Sequence, residues 1–215
     1  MLDIKKLKIN FLGDSITEGS GASDPAVKGY VGVFAERYAP AAARNYGIGG
    51  TRIAPQRNKS ENERHDRDFI LRAKEMDKDA DLVLVFGGTN DYGHGDAPFG
   101  SFGDETADTF CGSCDVLFRY LTENYAGKQL MVMTPLKREG GNNPRFDGHI
   151  LSDFVEIIKK TAAKYSIPVL DLYDESGICP DVEANKLTYT ADGLHPNDFG
   201  HSYLADKIAS FIKSL

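Results

Sequence analysis

The sequence predicts an α/β fold in which helices cover both faces of a five-stranded parallel sheet. Three observations carry that expectation. Short apolar runs recur, and the segment from Asp81 to Phe86 is apolar at every position after its first, as in a strand buried on both faces. Stretches with helical periodicity separate these runs, so strands and helices alternate and right-handed crossovers follow. Clusters of glycine, proline and asparagine follow the strands and mark turns at their carboxyl ends.

Leu7 to Leu12 is the first expected strand, with Leu7, Ile9 and Phe11 alternating with polar neighbours until Gly13 and Asp14 end it. Ser15 falls just past its carboxyl end. After the glycine-rich segment 19–29, a helix is expected with Tyr30, Val31, Phe34, Ala35 and Tyr38 on one face, closed by Pro40. A second strand around Ala43 to Tyr46 runs into Gly47-Ile-Gly-Gly-Thr51, where the backbone must turn or be closely approached. The charged segment 60–78 is expected to form a surface helix over one sheet face. Strand three, Asp81 to Phe86, ends in Gly87-Gly-Thr-Asn-Asp91, and a loop rich in glycine and aromatic residues follows. Helices are expected over about 106–125, 148–165 and 200–215, with strands at 129–134 and 167–172. The whole chain, residues 1–215, thus reads as one domain, a three-layer α/β/α sandwich of flavodoxin-like type.

Bulk properties narrow the function. A formal charge of −7 and a pI near 5.2 argue against nucleic acid or an anionic membrane as the main partner. No stretch approaches the roughly 18 apolar residues of a membrane span, and the N-terminal residues show no signal-peptide pattern, so a cytoplasmic location is expected. Three cysteines make no disulfide framework; Cys111 and Cys114 read as small residues on an apolar helix face. No cofactor is implied. Asp91, His94 and Asp96 could be offered as metal ligands, but without a helical histidine pair they read as an exposed turn.

Ser15 alone is either a helix N-cap or a nucleophile. Asp192-Gly-Leu-His195-Pro196 tilts the balance. A carboxylate three residues before a histidine in an irregular loop can hold Nδ1–H and leave Nε2 free as a base. The similar Asp198-Phe-Gly-His201 reads instead as a helix cap and a surface residue of the first turn. A parallel sheet brings Ser15, the glycines after strand two, Asn90 and the Asp192–His195 loop to one edge. There the backbone N–H of Ser15, a glycine N–H and the Asn90 amide are suitable donors for an oxyanion.

These residues resemble, in order, the four sequence blocks of the SGNH hydrolases, also called GDSL esterases and lipases: Gly13-Asp-Ser15-Ile-Thr17, Gly49-Gly50, Gly87-Gly-Thr-Asn90-Asp91 and Asp192-Gly-Leu-His195-Pro196. The resemblance implies that Ser15 is the nucleophile, His195 the base and Asp192 its orienting acid. It also implies that Ser15, Gly50 and Asn90 form the oxyanion hole, with Gly49 the alternative donor. The serine does not sit in the Gly-x-Ser-x-Gly elbow of the alpha/beta-hydrolases. A phosphate-binding loop would need a Lys and Ser/Thr ending that is missing here. A non-catalytic carbohydrate-binding protein on the same scaffold would be expected to lose the nucleophile or the base. The expected substrate is a small acyl ester, acetyl first, of a polar or carbohydrate alcohol; a lysophospholipase or thioesterase is the alternative. Asp14, Arg52, Tyr92 and Arg138 are candidate substrate contacts, with the loop from Tyr92 to Phe110 as an aromatic wall.

Overall fold

The computed structural model of the chain describes residues 2–215. Its elements run β1 (Lys8–Gly13), α1 (Ser15–Glu18), α2 (Pro25–Lys28), α3 (Tyr30–Tyr38), β2 (Ala42–Gly47), α4 (Phe69–Glu75), β3 (Leu82–Phe86), α5 (Thr89–His94), α6 (Phe110–Asn124), β4 (Gln129–Met133), α7 (Leu151–Lys164), β5 (Val169–Leu170), α8 (Leu172–Glu175), α9 (Glu183–Tyr189) and α10 (Asp198–Ser214). The five strands form one parallel sheet in the order β2-β1-β3-β4-β5. The expected three-layer α/β/α sandwich is what forms.

Two-residue alternation divides the strands between two cores. Ile9 and Phe11, with Leu82, Leu84 and Phe86, join the core beneath α3 and α10. Leu12, Val83, Val85 and Val132 face the other core, beneath α4, α6 and α7. Phe11 stacks edge-on against Tyr30 and Phe34, with ring centroids 6.0 and 5.5 Å away. Burying each such ring is worth about 2–3 kcal/mol.

The register also positions the site. Gly13 of β1 lies beside Gly47 of β2 and Phe86 of β3. The loops after β2 and β3 therefore flank the turn that follows β1, whose second residue is Ser15. Gly47 is required at that junction, because a Cβ there would fall 2.2 Å from the Glu18 amide nitrogen.

Several expectations change. The segment 60–78 is not one surface helix: only Phe69–Glu75 is α-helical, preceded by a single 3₁₀ turn at Glu63–Asp66. Its polar residues hold a loop instead. Asp66 accepts from the Ser60 N–H and hydroxyl, Asn62 caps the 3₁₀ turn, and Asp68 caps α4 at the Leu71 N–H. The fifth strand shortens to two residues because Asp171 turns its end into the cap of α8. The last helix starts at Asp198 and its cap is Asn197, which accepts from the Gly200 N–H; Asp198 instead binds the Ser23 N–H and hydroxyl. Helix α9 buries none of its residues, so no apolar stripe announced it. Cys111 and Cys114 lie buried in α6, where burial pushes the Cys111 thiol up to about 12.

Candidate active site

The turn from β1 into α1 presents the serine. Asp14 is the N-cap, accepting from the Ile16 N–H at 3.0 Å, so Ser15 is the first helical residue and not the cap. The Ser15 backbone N–H has no partner among the described residues. Its hydroxyl oxygen lies 2.9 Å from His195 Nε2.

His195 reaches it from a tight turn before α10. The turn is tied at its base by an antiparallel bridge between Thr190 and Pro196 and by the Ala191 N–H donating to the His195 carbonyl at 2.8 Å. Asp192 spans the turn. One oxygen accepts the Leu194 and His195 N–H groups at 2.9 and 2.7 Å, and the other lies 2.7 Å from His195 Nδ1. Burial works to raise the Asp192 pKa, but these three donors hold it below its ordinary value. The carboxylate thus stays ionised, keeps the proton on Nδ1 and leaves Nε2 to accept one from Ser15.

The loop after β2 wraps the other side of the serine. Glu18, in the last position of α1, accepts the Gly49 N–H at 2.7 Å and pairs with Arg64. Gly49 is therefore occupied, whereas the Gly50 N–H has no partner among the described residues. Gly50 sits at φ +74°, and a Cβ there would meet the His65 ring at 2.8 Å. Asn90, buried in the first turn of α5, donates one amide hydrogen to the Thr51 carbonyl at 2.9 Å and has a second to give. Of the two glycine donors left open by the sequence, the geometry leaves Gly50 available.

Beneath these donors lies a set of buried charges whose role sequence reading missed. Asp91 accepts the Ile53 and Ala54 N–H groups at 3.0 and 2.9 Å and pins the loop after β2 to α5. Arg72, from the segment expected to be surface helix, donates to the Gly13 carbonyl at 3.0 Å, the Tyr46 carbonyl and the Thr51 hydroxyl. It clamps the ends of β1 and β2. Burial raises Asp14 and Asp91 to about 6 and lowers Arg72 to about 10.

The candidate substrate contacts divide. Asp14 is 2 % exposed and spent on its cap. Arg52 is equally buried, its guanidinium taken by His94 Nδ1 at 2.9 Å and the His65 carbonyl at 2.9 Å. Tyr92 is buried, and its hydroxyl donates toward the Gly140 and Asn143 carbonyls. Phe99 and Phe110 pack against Phe154, so of the expected aromatic wall only Phe102 stands exposed. Arg138 remains half-buried beside the site. Asp91, His94 and Asp96 do not converge: Asp96 accepts the Arg57 and Asn58 N–H groups, and among the described residues no group of three metal-ligating side chains assembles. His201, expected at the surface, is fully buried. Its Nδ1 accepts the Tyr30 N–H at 3.1 Å and its Nε2 lies 3.0 Å from the Ser20 carbonyl.

The sequence model of the GDSL-like lipase/acylhydrolase family matches residues 11–203. A crystal structure of a protein from Lactobacillus plantarum is 30% identical, with a TM-score of 0.82 over 97% of this chain and 98% of that one. A possible lipase from Chitinophaga pinensis is 20% identical with a TM-score of 0.72, covering 97% and 98% of the two chains. An acetyl xylan esterase is 22% identical with a TM-score of 0.65, covering 96% and 100%. No curated protein matches the chain.

Proposed function

Because the chain belongs to the GDSL-like lipase/acylhydrolase family, we propose that it is a serine esterase acting through Ser15, His195 and Asp192 on small acyl esters, acetyl first, of polar alcohols. The observation that carries this reading is the unbroken contact chain from the Ser15 hydroxyl to His195 at 2.9 Å and on to Asp192 at 2.7 Å. Ser15 Oγ attacks the ester carbonyl as its proton passes to His195 Nε2. The carbonyl oxygen becomes an oxyanion, which the N–H groups of Ser15 and Gly50 and the second amide hydrogen of Asn90 receive. Collapse breaks the bond to the alcohol, which leaves with the proton from His195. Water then attacks the acyl-serine, again losing a proton to His195, and the acid departs as Ser15 regains its hydrogen.

A small acyl group and a polar alcohol fit the loop that meets the serine: a Cβ at Gly49 would lie 3.7 Å from Ser15 Cβ, and the next residue, Gly50, likewise carries no side chain. The acetyl xylan esterase of the same fold is an activity this arrangement of elements accommodates. The test is a series of chromogenic esters. We expect kcat/KM to peak between acetyl and butyryl and to fall steeply by octanoyl. A peak at long chains, or activation by a lipid interface, would overturn the small-acyl reading in favour of a lysophospholipase or thioesterase.

A further inference from the structure

The loop after β4 carries two cations that no carboxylate holds. Among the described residues neither Lys137 nor Arg138 enters an ion pair. Arg138 Nη1 makes only long contacts to neutral groups, the Thr89 carbonyl and hydroxyl at 3.4 and 3.3 Å, and its Nε is buried without a partner. Lys137 Nζ lies 5.2 Å from the centre of the Tyr173 ring. Both line one cavity of about 270 Å³, whose other polar walls include Asn142, Tyr173 and Asp181. A half-buried cation with no paired carboxylate is poorly compensated, and a guanidinium with a donor left unpartnered suits a carboxylate.

The loop that carries these two cations is bonded to the segments that carry Asn90 and His195. Thr89, against which Arg138 rests, directly precedes Asn90. The N–H of the next residue, Glu139, donates to the Gly193 carbonyl at 2.9 Å, inside the turn that carries Asp192 and His195. Burial holds the Arg138 pKa below its ordinary value against the opposing pull of Tyr92, Asp192 and Asp14. The departing alcohol takes its proton from His195 and therefore lies on the His195 side of Ser15, the side to which this loop is bonded. We propose that the Lys137–Arg138 cavity is a subsite for a carboxylate borne by the alcohol portion of the substrate. The substrate class is then an acyl ester of a hydroxy acid or acidic sugar. This inference rests on the reading of Ser15 as the nucleophile. The chain's formal charge of −7 repels anions at long range, so a preference for an anionic ester must arise locally.

The experiment follows acetate release from 3-acetoxybenzoate and from its neutral analogue 3-acetoxybenzamide, in the wild-type chain, Arg138→Gln and Lys137→Gln. The ratio of the two kcat/KM values within each protein is an internal reference against general loss of activity. In the wild type the ratio should favour the carboxylate by about tenfold or more, as expected for a charge-assisted contact. Arg138→Gln should bring it to about one or below, and Lys137→Gln should lower it severalfold. A wild-type ratio near or below one, with turnover still abolished by Ser15→Ala, would overturn this inference and leave the esterase reading standing. A ratio that neither substitution alters would overturn it too. If neither ester is turned over, or if Ser15→Ala matches the wild type, it is the esterase reading that falls.

Discussion

His201 and His195 stand six residues apart, each three residues after an aspartate, and their surroundings give them opposite duties. His201 is fixed at both nitrogens, accepting from the first N–H of α3 and meeting the Ser20 carbonyl, and burial lowers its pKa below the ordinary value. It is a strut between α3 and the loop after α1. His201→Ala should lower unfolding stability by about 2–3 kcal/mol, read from urea unfolding midpoints; a loss below about 0.5 kcal/mol would contradict the buried geometry. Asn90 combines both kinds of duty, since one amide hydrogen holds Thr51 and the other is free. Asn90→Ala should lower kcat roughly 10²–10³-fold with little change in KM, because the oxyanion contact strengthens in the transition state. It should also cost about 1 kcal/mol of stability. Lost stability with kcat intact would make Asn90 a strut alone.

At the scale of elements, the loops around Ser15 are held by charges the chain buries. Asp91 fastens the loop after β2 to α5, and its pKa is raised to about 6 by burial, against the pull of two backbone donors. A carboxyl whose folded pKa exceeds its unfolded value contributes least at neutral pH, and the folded state gains as pH falls from above 6 toward 4. Comparing wild type with Asp91→Asn removes the contributions of groups common to both. The difference in unfolding free energy should shift toward the wild type by about 1–3 kcal/mol between pH 7 and pH 4.5; a flat difference would show that Asp91 titrates normally. The positions of the strands were legible in the sequence because apolar runs and turn glycines are local signals. The loop and helix at 60–75 were not. Arg72 looks like a solvent-facing charge until it is placed beside Gly13 and Tyr46, 59 and 26 residues away. Arg52 and Tyr92 were misjudged for the same reason: their partners are distant backbone carbonyls that no spacing in the sequence announces.

Across the whole molecule, the sheet order gathers the site. With β1 between β2 and β3, the loops bearing Gly50 and Asn90 close on Ser15 from either side, and the turn before α10 brings His195 across 180 residues of chain. That convergence was readable beforehand because a parallel sheet sends every strand's carboxyl end to one edge, whatever the details of its helices. The choice between Gly49 and Gly50 was not readable, since it turns on the Glu18 carboxylate occupying one of two adjacent N–H groups. The proposed mechanism asks one atom, the Ser15 hydroxyl oxygen, to carry the reaction. Replacing Ser15 with alanine removes that atom and little else, so circular dichroism should report an unchanged fold. Under this account kcat/KM on an acetyl ester falls by about 10³-fold or more, leaving only what the oxyanion donors and binding supply; a folded Ser15→Ala chain that keeps more than about a tenth of wild-type turnover would contradict it.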